Sequence, residues 1–160
     1  MIVFVGGIVS GIMLVFLILF LMLPKMGRLF FITDRSRLPF ADTVNAIRAR
    51  CEQSDEWVIQ GEKDYNRAYL DNKRGELPHR LVEFKLGNPD HSFRVNKTFP
   101  EVVTFMPAAI AVVEYAPDKT IIYRKNTGLM GRMFQEPVRS IMGVEVPQQL
   151  DAILDGLVRK

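Results

Sequence analysis

The sharpest structural signal of the sequence is Leu81-Val82-Glu83-Phe84-Lys85-Leu86-Gly87-Asn88-Pro89. Its first six residues alternate well enough between apolar and polar side chains to form a strand with one buried face. Gly87, Asn88 and Pro89 then end the strand, because all three residue types favour turns. The segment therefore predicts a β-strand that is followed directly by a tight turn.

Four further segments have the composition of strands. Residues 108–115 are the most apolar run after the N-terminal part of the chain, and we expect them to form a central strand. A short loop, 116–119, separates them from residues 120–124, which predicts a β-hairpin. Residues 28–33 and 56–60 are also rich in strand-favouring side chains.

Helical periodicity flanks these strands. After Pro39, apolar residues recur at spacings of four, three and four and lie on one predicted helix face: Phe40, Val44, Ile47 and Cys51. Pro147 is predicted to open a final helix, and the apolar face of that helix carries Leu150, Ile153, Leu154 and Leu157. Strands interspersed with helices indicate a compact α+β domain over residues 28–160, with a mainly antiparallel sheet and helices packed on it.

The N-terminal residues differ in composition from the rest. No charged residue occurs from Ile2 to Leu23, which is about the roughly 20 residues that a helix needs to cross a ~30 Å hydrocarbon core, and Pro24 follows. A cleavable signal peptide would begin with basic residues and end at small ones, and neither feature is present. Residues 1–25 are therefore expected to be the transmembrane anchor of a single-pass inner-membrane protein, in contact with the lipid bilayer.

Small residues offer a packing surface within this segment. Gly7, Ser10 and Gly11 include a Gly-x-x-x-Gly spacing, which places two small residues on one helix face. A second membrane helix could approach that face closely. The alternative is a membrane helix that tolerates glycine and has no specific partner.

Basic residues near the segment indicate its orientation. Four of them follow it, namely Lys25, Arg28, Arg35 and Arg37, whereas only the α-amino group precedes it. Positive residues mark the cytoplasmic side of a membrane helix, so the domain is expected in the cytoplasm. A periplasmic domain is the alternative.

Charge balance and cysteine content exclude several classes of protein. The chain has 21 basic and 18 acidic side chains, scattered without a long run of one sign, which argues against nucleic-acid binding. The single cysteine, Cys51, cannot form an intramolecular disulfide or a cysteine-based zinc cluster, and we expect it in the core. No Gly-x-Ser-x-Gly elbow and no phosphate-binding loop occur, so no catalytic residue and no cofactor are predicted.

The only two histidines, His79 and His91, flank the strand at residues 81–86 and its turn. Together with Glu83 or Asp90, two imidazoles could hold a divalent metal ion or a haem. The spacing fixes no third ligand and is not that of two histidines on one helix face. The alternative is a pair of polar side chains at loop ends.

A methionine-rich segment, 128–134, is the candidate contact surface. It places flexible apolar side chains beside a charge: Leu129, Met130, Met133 and Phe134 next to Arg132. Such side chains adapt to protein partners. The alternative is a helix that simply closes the core.

The order of these signals resembles the domain-of-unknown-function 302 family. The resemblance consists of the strand ending in Gly87-Asn88-Pro89, then Met106-Pro107, then residues 110–115 and a hairpin. Residues 126–134 are similar to a stretch in membrane-anchored bacterial members. The resemblance implies a compact α+β domain, often paired into dimers, and it implies no established activity.

One departure from the family pattern bears on chemistry. Some anchored relatives have a cysteine near the turn that holds Gly87 here and another directly after the Met-Pro pair, where this chain has Ala108. A thiol-based redox or metal role would therefore lack its ligands in this sequence. Many relatives are exported, which favours a periplasmic domain.

These observations lead to three hypotheses about function. The first is a membrane-tethered, non-catalytic binding or accessory module that forms a homo-oligomer or joins a larger membrane protein complex. The second is a small-ligand or metal-dependent sensor or enzyme that uses His79 and His91. The third, suggested by the location of the relatives, is an exported redox-accessory protein.

Overall fold

One six-stranded antiparallel sheet organises the chain. The structure is a computed structural model that describes residues 13, 14, 16–18, 20, 21 and 26–159. Its strands are β1 Phe31–Ser36, β2 Val58–Asp64, β3 Arg80–Gly87, β4 Ala108–Ala116, β5 Lys119–Lys125 and β6 Val158–Arg159. Their order across the sheet is β2-β3-β4-β5-β1-β6, and each neighbouring pair is antiparallel. The predicted strand at 81–86, the 108–124 hairpin and the antiparallel sheet are confirmed.

Helices connect the strands. They are α1 Phe40–Glu52, α2 Tyr65–Asp71, α3 Pro89–Asn96, α4 Thr127–Gly131, α5 Val138–Ser140 and α6 Val146–Leu154. The chain also has 3-10 helices at Gly27–Phe30 and Pro100–Phe105 and a π-helix at Ile141–Glu145. Because Gly27–Phe30 is helical, the first strand begins at Phe31, three residues later than its composition predicts.

The core lies between one face of the sheet and the helices. Phe84 of β3 and Ile110 of β4 are register partners and are fully buried. Ile47 of α1 and Leu150 of α6 belong to the same apolar cluster. Burying a side chain of this size contributes roughly 1.5–3 kcal/mol. The apolar faces predicted for the first and last helices are confirmed as buried: Phe40, Val44, Ile47, Cys51, Leu150, Ile153 and Leu154. Leu157 is buried as well, but it lies beyond the end of the last helix at Leu154.

A π-helix joins α5 to α6. Pro147 has no backbone N–H, so an α-helical hydrogen bond to the carbonyl of Gly143 cannot form. The chain has the wider π-helical bonding just before that position. Pro147 is the second residue of α6, so the predicted final helix is confirmed, beginning one residue earlier than expected. It continues a helical run that begins at Val138.

Gly131 makes this arrangement possible. A Cβ atom at Gly131 would lie 2.7 Å from the Cα of Gly143 and 2.8 Å from the carbonyl carbon of Met142. Only a residue without a side chain allows the end of α4 to meet the π-helix at this distance. The contact fixes the backbone at Met142, a residue that lines the cavity described below.

The membrane predictions are wrong. No helix among the described residues is long and apolar enough to cross a membrane. This finding overturns the transmembrane anchor over residues 1–25 and, with it, the single-pass inner-membrane location and the orientation inferred from basic residues. An uncharged segment is compatible with lipid, but crossing a membrane also requires about 20 residues in one helix. Gly7, Ser10 and Gly11 lie outside the described residues.

Candidate functional site

A cavity of about 80 Å³ lies where β3 ends and β4 begins. We call it the His91 cavity. It is surrounded by the turn after β3, the segment before β4, α3 and the π-helix, and its walls are largely apolar. The residues that line it are Trp57, Gln60, Leu86, Gly87, Asn88, His91, Ser92, Phe105, Met106, Pro107, Ala108, Thr127, Ile141, Met142 and Val146. Gln60 and Phe105 are the exposed members, so they mark the opening. The lining drawn from residues 57–146 includes no lysine, arginine, aspartate or glutamate.

Two buried nitrogen atoms in this lining lack hydrogen-bond partners. Trp57 is 4% exposed and His91 is 7% exposed. In the part of the chain that the structure describes, neither Trp57 Nε1 nor His91 Nδ1 has a partner. The two rings meet edge to face, with their centroids 6.1 Å apart. Leaving a buried polar group unsatisfied costs about 1–3 kcal/mol, so a molecule that satisfied these atoms would gain that energy.

The turn after β3 positions His91. Asn88 is the N-cap of α3, and its Oδ1 accepts a hydrogen bond of 3.0 Å from the backbone N–H of His91. Pro89 follows in the first turn, where its missing N–H costs nothing. The turn residues Gly87, Asn88 and Pro89, predicted from sequence as a strand end, therefore also place the imidazole at the cavity.

Glu145 and Arg94 determine the charge around His91. His91 Nε2 lies 3.3 Å from Glu145 Oε2, and Arg94 donates two hydrogen bonds of 2.7 and 3.0 Å to the same carboxylate. Burial lowers the pKa of His91, whereas the negative charge of the nearby Glu145 raises it. The hydrogen bonds from Arg94 lower the pKa of Glu145. At neutral pH the site therefore holds a neutral imidazole beside an ionised carboxylate.

The other wall of the cavity is held by two contacts across the sheet. Lys125 Nζ donates hydrogen bonds of 3.0 Å to the carbonyl oxygens of Phe105 and Pro107. On the opposite side, the Gln60 side chain lies over the Cα of Gly87, in the space that a Cβ would occupy. Both the segment before β4 and the turn after β3 are thus fixed in position.

The two histidines are not brought together. His79 precedes β3 and packs against Tyr115 with tilted rings, whose centroids are 5.5 Å apart, whereas His91 follows β3. An eight-residue strand rising about 3.3 Å per residue separates them by roughly 25 Å. Glu83 accepts a hydrogen bond from the Tyr65 hydroxyl, and Asp90 is exposed. Within the described residues, no group of three His, Cys, Asp or Glu side chains could hold a metal ion.

The methionine-rich segment divides between core and surface. Met130 is buried, and Phe134 packs against the core and against Phe105, with ring centroids 5.9 Å apart. Leu129 is half-buried, whereas Arg132 and Met133 are exposed. Apart from Met133, which is 64% exposed, the apolar residues of this segment are buried or half-buried. Association with itself or with a larger complex stays a prediction.

Sequence reasoning missed Trp57, Gln60 and Glu145 as members of the site. Trp57 is the single tryptophan of the chain and precedes a strand, but the sequence around it gives no sign that it lines a cavity. Glu145 lies in a helical segment that is far from His91 in sequence. Only the π-helix brings its carboxylate to the imidazole.

Comparison with known proteins finds one family. A family model described as "Domain of unknown function DUF302" matches residues 32–157. Among solved structures, the chain is similar to the crystal structure of an uncharacterized conserved DUF302 protein from Bacillus stearothermophilus, with a TM-score of 0.66 and 18% sequence identity. That similarity covers 79% of this chain and 96% of the other, and it shows a shared fold. No curated protein matches the chain.

Proposed function

The chain belongs to the DUF302 family, and we propose that it is a non-catalytic binding module whose ligand is a small molecule held in the His91 cavity. The observation that carries the proposal is the pair of unpartnered buried nitrogens, Trp57 Nε1 and His91 Nδ1, in the lining of one cavity. Apolar walls with a few polar groups are the usual composition of small-molecule sites.

The size of the cavity limits the ligand. A cavity of about 150 Å³ holds benzene, so one of about 80 Å³ suits a molecule of roughly five non-hydrogen atoms or the end of a longer one that leaves through the opening. Very small ligands gain at most about 1.5 kcal/mol per non-hydrogen atom. The affinity of such a probe is therefore expected in the micromolar to millimolar range.

Binding rather than catalysis is supported by the side chains present. The lining, which comes from residues 57–146, contains no cysteine and no carboxylate, and its single histidine is the one group suited to proton transfer. Cys51 is buried in the core, and burial raises its pKa to about 11, so it is not a reactive thiolate at neutral pH.

The experiment that tests the proposal uses the single tryptophan. In a ¹⁵N-labelled sample, the one indole N–H gives one cross-peak, and this peak reports on Trp57, a residue of the cavity lining. We would titrate 2-butanol, 2-butanone and isobutyramide separately and follow this peak together with the backbone amides of Asn88 and His91. Saturable shifts of these signals by at least one probe are expected.

Matched variants localise the effect. Ala108 lines the cavity, whereas Ala109, its neighbour on β4, is not among the lining residues and belongs to the opposite face of the strand. Ala108→Leu should fill the cavity and abolish the shifts, and Ala109→Leu should retain them. The proposal would be overturned if Ala108→Leu and Ala109→Leu gave the same probe-dependent shifts, or if no probe gave a saturable shift.

A second control concerns the direction of the indole. Trp57 also borders a surface cleft that includes Gln149, whose Oε1 is likewise buried without a partner among residues 26–159. Gln149→Met removes that acceptor while it keeps the volume of the side chain. The probe-dependent indole shift should survive this change. Its loss would show that the indole N–H serves the cleft and not the cavity, and would count against the proposal.

A further inference from the structure

The two unpartnered nitrogens of the His91 cavity have opposite hydrogen-bonding roles. An indole nitrogen can only donate. In a neutral imidazole one nitrogen donates and the other accepts. His91 Nε2 lies 3.3 Å from the ionised Glu145, a position that favours the hydrogen on Nε2 and leaves Nδ1 as the acceptor. The residues that line the cavity therefore contribute one unpartnered donor, Trp57 Nε1, and one unpartnered acceptor, His91 Nδ1.

A hydroxyl group is the uncharged group whose single oxygen atom matches both roles. Its oxygen accepts from an N–H and its hydrogen is donated to an imidazole nitrogen. A ketone satisfies only the donor and leaves Nδ1 unpaired, and an apolar molecule leaves both atoms unpaired. A carboxylate or an ammonium group would enter without an opposite charge, because the lining between Trp57 and Val146 carries no charged side chain.

From this arrangement we infer that the ligand of the His91 cavity is a small uncharged hydroxyl compound, either an alcohol or the hydroxyl-bearing end of a longer molecule. Trp57 donates to the hydroxyl oxygen, and His91 Nδ1 accepts the hydroxyl hydrogen. Glu145 is a positioning residue, because it acts on the ligand through the tautomer of His91. The inference rests on the proposed function and adds the chemical class of the ligand to it.

The test compares 2-butanol with 2-butanone, which have the same heavy-atom skeleton. Dissociation constants come from the indole cross-peak of the full chain. We expect the alcohol to bind about tenfold more tightly, which corresponds to one net hydrogen bond. Equal or tighter binding of the ketone would overturn the inference while leaving the proposed function in place. Absence of binding by both probes would overturn the inference and the proposed function together.

The role of Glu145 has its own readout. The ¹⁵N signals of the His91 ring show which nitrogen carries the hydrogen, and in the parent chain Nδ1 should be unprotonated. Glu145→Gln should populate the other tautomer and reduce the alcohol-to-ketone preference toward one. Glu114→Gln, which changes a carboxylate paired with Arg80 on the sheet, should alter neither quantity. An unchanged tautomer and an unchanged preference in Glu145→Gln would overturn the assignment of Glu145.

Discussion

The imidazole of His91 lies 3.3 Å from the carboxylate of Glu145, although the first belongs to the helix after β3 and the second to the π-helix before α6. The contact joins the two elements that surround one side of the His91 cavity. Arg94 donates hydrogen bonds to both oxygens of the same carboxylate. The charges of Glu145 and Arg94 act, together with burial, on the pKa of His91, the one titratable group in the cavity lining.

The pKa of His91 should respond in opposite directions to its two neighbours. Arg94 lowers that pKa by repulsion and Glu145 raises it by attraction. Arg94→Met should therefore raise the pKa of His91, and Glu145→Gln should lower it. A pH titration of the His91 ring signals by NMR measures both. A shift in the same direction for the two variants would contradict the electrostatic account.

The stability of the fold should fall as His91 becomes protonated. The folded chain holds His91 with a pKa below its ordinary value of about 6.5, chiefly because of burial. Its contribution to stability is full above pH 6.5 and is lost as the pH falls from there through the lower, folded-state pKa, because only the unfolded chain gains the proton in that window. Urea unfolding at pH 7.5 and pH 5.5 measures the loss.

The matched controls are the two single-histidine variants. His91→Gln should lose less stability than the parent chain between the two pH values. His79→Gln changes the other histidine, at the far end of β3, and should lose as much as the parent. An identical loss in all three proteins would show that His91 is not the titrating group.

Gly131 should be the least replaceable residue of α4. An added Cβ there would meet the backbone of Gly143 and Met142 closer than 3 Å, so Gly131→Ala forces a backbone shift. Overpacking of this kind costs about 1–3 kcal/mol. Gly128→Ala, three residues earlier, meets no atom closer than 3.6 Å and should be neutral or slightly stabilising, since alanine favours helix. Denaturant unfolding of both variants checks the difference, and equal stability of the two would contradict it.

Loss of the Asn88 cap should weaken the site and the fold together. Asn88→Ala removes the acceptor for the His91 N–H and should lower the free energy of unfolding by about 1 kcal/mol. Asn88→Ser keeps a capping oxygen and should recover most of that loss. Denaturant midpoints provide the measurement. If the alanine and serine variants proved equally stable, the cap would not be the source of the effect.

The local features of this fold could be predicted from sequence, whereas its distant contacts could not. Alternation in residues 81–86 and the spacing from Phe40 to Cys51 are properties of one element, and both predictions are confirmed. The approach of Glu145 to His91 depends on a π-helix and on the close contact between Gly131 and Gly143. No local pattern encodes either of these.

The structure separates the two candidate histidines for a related reason. His79 and His91 flank the same short segment, and their nearness in sequence suggested a shared ligand. An extended strand, however, carries its two ends apart, so neighbouring positions in the chain become opposite ends of the sheet. Trp57 reaches His91 because β2 pairs with β3 in antiparallel register, which brings Val58 opposite Gly87.

Intermolecular nuclear Overhauser contacts between 2-butanol and the protein measure most directly whether the ligand occupies the His91 cavity. If the ligand occupies the His91 cavity, its methyl groups should show contacts to the indole of Trp57 and to the methyl of Ala108. Contacts only to exposed aromatic side chains such as Phe93, which is 71% exposed, would contradict the account, as would the absence of any contact.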